Sequence, residues 1–249
     1  MAMLTAAVDV HDDILDRSSI KHGKSTVFGK YGLEIALLLG NAFFVSGFTL
    51  LGKCVTGMSA EKARRIMETV KRLMFEVGTA HALELNLRKR FDVRPEEYMR
   101  VLRMKAASTE ASMRLGAMIG GGSEAEVEAL TRYGRILGLL ATIREEFVDI
   151  YETKELRQRI ENECLPVPIL CVLQGENPGK IKSILTKRRA TETDANKILD
   201  LVMKSGETEK LKKAMNTLID EGMNFLSELT RNDSKELLSL LLEATREDL

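Results

Sequence analysis

The sequence predicts an all-α protein. Apolar residues recur with the 3.6-residue period of a helix through almost every segment, and no stretch shows the alternating pattern of a half-buried strand. Only four prolines and no tryptophan occur among 249 residues, so little interrupts long helices. The length suits one large domain or two small ones. No linker separates two halves, and we therefore predict a single domain over residues 1–249.

The first half of the chain divides into four predicted helices. The first covers residues 5–16, and the polar stretch 17–29, with two glycines and two lysines, indicates a loop. A strongly apolar helix is predicted over 33–52. Ser59 is the predicted N-cap of a helix that runs to residue 90. Pro95 is placed in the first turn of a helix that ends near residue 119.

The second half begins at a glycine-rich break. Ser123 follows Gly120, Gly121 and Gly122 and is the predicted N-cap of a helix that continues towards residue 151. The highly charged stretch 152–164 is typical of a mobile connector. Pro166 and Pro168 then introduce a short apolar helix, which is followed by a turn over 175–179 and by amphipathic helices near 190–204, 207–230 and 233–246.

Charge and cysteine content limit the possible functions. Lys+Arg equal Asp+Glu at 37 each, so no net field favours nucleic acid or an acidic membrane. Cys54, Cys164 and Cys171 lack the close pairing of a zinc site and indicate buried thiols in a reducing compartment. No leader sequence is visible at the start. The apolar stretch 35–51 is interrupted by polar residues, which predicts a buried core helix of a cytoplasmic protein and no transmembrane segment.

Three carboxylates lie close together at the end of the first predicted helix. Asp12, Asp13 and Asp16 form what we call the first acidic cluster, and they follow His11. Residues three and four apart share one helical face, where each pair of like charges costs roughly 0.2–0.5 kcal/mol. Such a cluster is found on solvated helix faces, but here the flanking residues are apolar. The pattern therefore favours a site for Mg²⁺, which takes oxygen ligands.

A second set of acids repeats this spacing. Glu145, Glu146 and Asp149 form the second acidic cluster, again at positions i, i+1 and i+4. They follow the small-residue segment 133–138, which suits close helix packing. Two such clusters on facing helices of one bundle could hold several Mg²⁺ ions, with a diphosphate bridging the metals.

On these motifs the chain resembles the trans-type isoprenyl diphosphate synthases, or polyprenyl synthetases, over nearly its whole length. The first acidic cluster matches the family's Asp-Asp-x-x-Asp motif after a histidine, and the second matches its later acidic motif. The other matching segments are Lys21-His22-Gly23-Lys24-Ser25-Thr26, Leu38-Leu39-Gly40-Asn41, Lys105-Ala106, the stretch 138–149 and Ser205-Gly206.

The resemblance implies an orthogonal helical bundle of the isoprenoid synthase type. It implies head-to-tail condensation of isopentenyl diphosphate with an allylic diphosphate, Mg²⁺ as cofactor, and a homodimer or a heteromer with a complete synthase subunit. It also assigns site residues. The implied metal ligands and catalytic acids are Asp12, Asp13 and Asp16, with Glu145, Glu146 and Asp149 as further metal ligands. Lys21 and Lys105 are the implied contacts of the allylic diphosphate, and Lys105 is also an implied catalytic residue. His22 is the implied contact of isopentenyl diphosphate, and Ala7 and Val8 are implied to line the product tunnel.

The chain also departs from the family pattern. The second cluster has glutamates where the family has aspartates, and the lysine that follows that motif is replaced near Asn162. The family's early helices, which hold isopentenyl diphosphate, are not found; trimming and natural absence are both open. Two hypotheses follow: a divergent active synthase, or a low-activity or non-catalytic subunit of a heteromeric synthase. A terpene cyclase of the same fold matches segment 23–26 less well.

Overall fold

A computed structural model of the chain describes residues 1–21, 23–175, 178–187, 190–230 and 233–247. Within these residues the regular secondary structure is helical apart from one pair of two-residue strands, so the all-α prediction is confirmed. The chain forms two compact units, residues 1–71 and 72–249. The single domain remains a prediction.

The first unit contains two helices joined by a short hairpin. Helix α1 (Ala2–Asp16) leads into strands β1 (Ile20–Lys21) and β2 (Lys24–Ser25), which pair antiparallel, and then into helix α2 (Val27–Val55). Thr26 starts α2, since its hydroxyl accepts a hydrogen bond from the Gly29 amide at 2.9 Å. Helix α3 (Ala60–Leu87) begins in this unit and ends in the next. Ser59 caps it as predicted, accepting from the Lys62 amide at 3.3 Å.

Small residues let α1 and α2 approach closely. The buried positions of α2 are Ala36, Gly40 and Gly47. A Cβ atom at Gly40 would overlap the His11 ring of α1, and one at Gly47 would overlap Leu4. The end of α1, which carries the first acidic cluster, is therefore positioned by a face of α2 that has almost no side chains.

The rest of α2 is exposed, so the prediction of a buried core helix is wrong. Gly32 has a φ of 84° and interrupts the helix one turn after its start, near the predicted beginning at residue 33. Beyond it, Leu38 and Val45 are 64% and 68% exposed. The sequence of α2 is apolar around the whole helix, whereas α1 packs against only one side of it. By length and composition α2 could cross a membrane, and 17% of its most apolar window is buried.

The second unit is built around one long helix. The elements after α3 are α4 (Pro95–Lys105), α5 (Ala107–Ile119), α6 (Glu124–Tyr151), α7 (Thr153–Asn162), α8 (Val167–Gln174), α9 (Gly179–Leu185), α10 (Glu192–Met203), α11 (Gly206–Ser227) and α12 (Asp233–Ala244). Helix α6 packs against α4, α5, α7, α8, α10, α11 and α12. Its buried side chains, including Tyr133, Leu140 and Phe147, form the centre of the core. The predicted Ser123 cap of α6 is confirmed as a capping box.

Two predicted elements of this unit are wrong. The single helix expected over 94–119 is two helices, α4 and α5, which meet at Ala106. The expected connector 152–164 contains helix α7, because its Leu156, Arg159 and Ile160 are buried and supply the packing that the charged composition hid. The turn predicted over 175–179 includes Glu176 and Asn177, which lie outside the described residues.

Candidate functional site

The first acidic cluster lies on the last turns of α1. Asp12, Asp13 and Asp16 are each half-buried. The helix ends when Arg17 adopts a left-handed conformation with φ of 55°, and the chain returns through β1. This return brings the Lys21 ammonium to 3.7 Å from Asp12 Oδ2 and 3.8 Å from Asp13 Oδ1. The hairpin thus delivers one partly exposed cation to the cluster.

The electrostatics of this cluster leave room for a further cation. Burial raises the pKa of the Asp13 carboxyl, the Lys21 charge opposes that shift, and the neighbouring Asp12 and Asp9 add to it. Burial disfavours the Lys21 charge, but the surrounding carboxylates outweigh it and raise the pKa of that lysine. Asp13 Oδ1 is buried and accepts no hydrogen bond. Oxygen donors in this state fit Mg²⁺.

The other predicted residues of this unit lie near the cluster or outside the description. His11 Nδ1 donates to the Ala7 carbonyl at 2.7 Å, and its Nε2 lies 3.3 Å from Asn41 Oδ1. Ala7 is fully buried and Val8 is half-buried, and their contact with substrate remains a prediction. His22 lies outside the described residues.

In the second acidic cluster, Glu146 is surrounded by donors. Its side chain, which comes from α6, is almost fully buried. Oε1 accepts from the Tyr98 hydroxyl at 3.1 Å and from Arg159 Nη2 at 3.0 Å. Oε2 accepts from Arg159 Nη2 at 3.1 Å and from the Val167 amide at 2.9 Å. Burial raises the pKa of Glu146, and the charge of Arg159 opposes that shift.

Arg159, on α7, is the cation of this cluster. Its Nη1 donates to Asp149 Oδ2 at 2.5 Å, and its Nε donates to the Cys164 carbonyl at 2.9 Å. Glu163 is a further ion-pair partner, 3.3 Å from Nε. Burial disfavours the guanidinium charge, but the carboxylates, with Glu146 foremost, raise its pKa well above the ordinary value. Arginine therefore stays charged here.

The three acids of the second cluster do not converge on a common point. Glu145 is exposed and lies 3.9 Å from Arg144, whereas Glu146 and Asp149 both face Arg159. Among the described residues, no group of three or more His, Cys, Asp or Glu side chains is arranged to hold a metal, and this applies to the first cluster as well as to the second. The second cluster differs in that Glu146 and Asp149 are already paired with a buried guanidinium, which does not favour a Mg²⁺ site. The metal roles of Glu145, Glu146 and Asp149 remain predictions.

Lys105 is linked to the same network. Its ammonium pairs with Glu84 at 2.5 Å. The Tyr98 hydroxyl lies 2.9 Å from Glu84 Oε1 and 3.1 Å from Glu146 Oε1. The single hydroxyl proton is shared between these two carboxylates, so Tyr98 couples the predicted substrate lysine to the second acidic cluster.

Sequence reasoning missed Arg159 and Tyr98 as members of this network. Arg159 lies in the stretch that its charge made resemble a connector. The available signal was spacing: Arg159 follows Asp149 by ten residues, which allows a short helix to fold back onto α6. Tyr98 lies seven residues before Lys105 on α4, two turns away on the same side of the helix.

Comparison with known proteins gives consistent matches. The sequence model of the polyprenyl synthetase family matches residues 1–202. A short chain isoprenyl diphosphate synthase of Methanothermobacter thermautotrophicus is 28% identical over 83% of this chain, and the matched region spans 60% of that relative. The chain thus spans less than two thirds of that relative's length.

Solved structures share the fold. The geranylgeranyl pyrophosphate synthetase of Pyrococcus horikoshii matches all of this chain and 77% of its own, with a TM-score of 0.87 and 23% identity. The geranylgeranyl pyrophosphate synthase of Corynebacterium glutamicum, solved with isoprenyl diphosphate and magnesium, matches 98% of this chain and 76% of its own, with a TM-score of 0.83 and 22% identity. At this identity the likeness establishes the all-α fold of these enzymes.

Proposed function

Since this chain belongs to the polyprenyl synthetase family, we propose that it is an isoprenyl diphosphate synthase subunit of the prenyltransferase class. The reaction is head-to-tail condensation of isopentenyl diphosphate with an allylic diphosphate. The family match over residues 1–202 carries the proposal. The relatives named as isoprenyl and geranylgeranyl diphosphate synthases support the substrate class.

The first acidic cluster is the proposed metal site. Asp12, Asp13 and Asp16 would hold Mg²⁺, and the buried Asp13 Oδ1 that accepts no hydrogen bond supports this role. When bound, Mg²⁺ stabilises the negative charge that develops on a diphosphate leaving group. The solved structure from Corynebacterium glutamicum contains magnesium together with isoprenyl diphosphate.

Lys21 is the proposed diphosphate contact of this unit. Its side chain is 48% exposed, and the hairpin holds its charge beside the cluster. An ammonium group that is already close to two carboxylates can turn towards an incoming diphosphate at little cost in desolvation. Lys105 is less available for the same role, because Glu84 pairs with it.

The test is turnover of the full chain. We expect longer prenyl diphosphates on incubation with isopentenyl diphosphate, an allylic diphosphate and Mg²⁺. Asp12→Asn combined with Asp13→Asn should lower that rate by about 10²-fold or more, because the charge-stabilising ligands are lost. Asp92→Asn is the control, since Asp92 is an exposed surface carboxylate that pairs with nearby Arg90. Equal rates for the double variant and the control would contradict the proposal.

A second candidate function is a low-activity or non-catalytic subunit that works with a complete synthase. The ion pairs of the second unit favour it. Arg159 pairs with Glu146 and Asp149, and Glu84 pairs with Lys105, so these predicted site residues already have partners within the chain. The test is co-expression with a complete synthase from the same source. If this candidate is right, Asp12→Asn in this chain leaves the activity of the complex nearly unchanged, whereas a tenfold loss would reject it.

The exposed apolar side of α2 supports a protein partner for this chain. Leu38, Val45 and Leu50 are all exposed there, and an apolar surface of this kind marks an interface. We propose that a second protein chain, identical or a complete synthase, covers it in the cytoplasm. The molar mass of the purified chain in solution, with and without a synthase partner, checks this assignment.

A further inference from the structure

We infer that the Arg159 guanidinium is the permanent cation of the second acidic cluster, so that this cluster holds no divalent metal ion. The inference concerns the cluster itself and does not depend on whether the chain condenses isoprenyl diphosphates. It follows from the way in which the acceptors of Glu146 and the donors of Arg159 are used.

Both oxygens of Glu146 are engaged by buried donors. Oε1 accepts from Arg159 and shares the Tyr98 hydroxyl proton with Glu84. Oε2 accepts from Arg159 and from the Val167 amide. A metal could bind Glu146 only if one of these buried donors lost its acceptor, which is costly away from water.

The donors of Arg159 are equally committed. Nε donates to the Cys164 carbonyl, Nη1 to Asp149, and Nη2 to both Tyr98 and Glu146. The side chain is only 8% exposed, so the guanidinium has little water to replace these partners. Arginine cannot lose its proton in proteins, so a divalent ion approaching Asp149 would meet a fixed positive charge at close range.

The same contacts connect four helices of the second unit. Tyr98 comes from α4, Glu146 and Asp149 from α6, and Arg159 from α7, while the Val167 amide opens α8. The cluster is therefore part of the packing of this unit, and Arg159 is a positioning residue that holds α7 against α6.

The competing arrangement is a single ion held by Glu145 and Asp149. These two carboxylates are four residues apart, and Glu145 is exposed. If an ion were bound there, Glu145 would be one of its ligands, because both oxygens of Glu146 already face buried donors. Glu145→Gln thus tests this arrangement with little risk to folding.

The experiment counts Mn²⁺ ions bound to the full chain by electron paramagnetic resonance, with and without inorganic diphosphate. Three proteins are compared with the wild type. They are Asp12→Asn/Asp13→Asn, Glu145→Gln, and the triple variant Glu146→Gln/Asp149→Asn/Arg159→Gln. The triple variant removes Arg159 together with Glu146 and Asp149, so neither of these two carboxylates is left as an uncompensated charge, and Glu163 loses its ion pair with Arg159. Circular dichroism checks that each protein is folded.

We expect Glu145→Gln and the triple variant to bind as many Mn²⁺ ions as the wild type, and Asp12→Asn/Asp13→Asn to bind fewer. Loss of a Mn²⁺ ion in either Glu145→Gln or the triple variant would overturn the inference. Should the wild type bind no Mn²⁺ at all, the metal role proposed for the first cluster fails, and the metal-free state of the second cluster is supported. The two failures are therefore distinguishable.

Discussion

The two acidic clusters have the same spacing of carboxylates and different cations. In the first, Lys21 arrives on an exposed hairpin at 3.7–3.8 Å, and Asp13 Oδ1 accepts no hydrogen bond. In the second, Arg159 lies on helix α7, and its guanidinium donates to both carboxylate oxygens of Glu146. An i, i+1, i+4 pattern of acids thus does not decide what the acids bind. What the acids bind depends on the element that folds back over them, which is the hairpin in the first cluster and α7 in the second. Each element supplies a different cation and excludes a different amount of water.

The largest difference between the clusters should appear on removal of their cations. Arg159→Gln leaves the buried Glu146 and the half-buried Asp149 and Glu163 without their cation, and breaking a buried pair in this way costs about 3–5 kcal/mol. Lys21→Gln removes a partly exposed lysine, so the free energy of unfolding should change by less than about 1 kcal/mol. Urea unfolding followed by circular dichroism at pH 7 measures both.

Equal losses in the two variants would contradict this comparison. Arg159→Lys is the informative control within the second cluster. It keeps the charge but cannot reproduce the fork of donors, so its stability should lie between those of the wild type and Arg159→Gln.

The hydroxyl of Tyr98 provides a sharper test of the second cluster. Tyr98→Phe removes a group that contacts Glu84, Glu146 and Arg159 and should cost about 1.5–3 kcal/mol, the range for hydrogen bonds to charged partners. Tyr133→Phe is the matched change, because the hydroxyl of buried Tyr133 donates to an uncharged acceptor, the Leu238 carbonyl, at 2.8 Å. The loss there should be about 1 kcal/mol. Thermal unfolding of both variants checks the order, and a larger loss for Tyr133→Phe would contradict it.

The smallest expected effect concerns the first cluster and depends on pH. The pKa of Asp13 is raised by burial, so the folded chain holds that proton more tightly than the unfolded chain. As the pH rises through the ordinary carboxyl pKa towards the raised value, this group lowers stability progressively. Asp13→Asn should therefore be more stable than the wild type at pH 7, by less than about 1 kcal/mol, with the difference disappearing below the ordinary pKa.

Denaturant midpoints of Asp13→Asn and the wild type at several pH values between 3 and 7 measure this difference. A gain that grows as the pH falls would contradict the assigned direction. Glu146→Gln is the comparison. Burial raises the pKa of Glu146 too, but its removal leaves the buried Arg159 charge without its foremost partner, so we expect this variant to be less stable than the wild type at pH 7.

The helices of this fold were predictable wherever local signals and packing agree. The caps Ser59 and Ser123 are confirmed, because a cap is set by hydrogen bonds within one turn. Helix α7 was missed because its composition is charged, and a charged segment forms a buried helix only when the fold supplies partners from elsewhere. The exposure of α2 was missed because its sequence is apolar. An apolar sequence indicates burial, but it does not identify the surface that would cover the helix.

For the candidate site, the sequence identified the acids and not their environment. The positions of Asp12 and Glu146 in equivalent motifs suggested equivalent roles. Their difference arises from Lys21 and Arg159, which lie nine and thirteen residues later in the chain and reach the acids only after the backbone has reversed direction. A periodicity within one helix carries no information about such a reversal.

The contact between α1 and α2 has a consequence for sequence variation. At Gly40 any side chain would overlap the His11 ring, whereas at Gly52 on the same helix a methyl group would meet nothing within 4 Å. Deep mutational scanning of this chain should therefore tolerate alanine at Gly52 and select strongly against it at Gly40. Tolerance across α2 would then trace the outline of α1 without any further structural measurement.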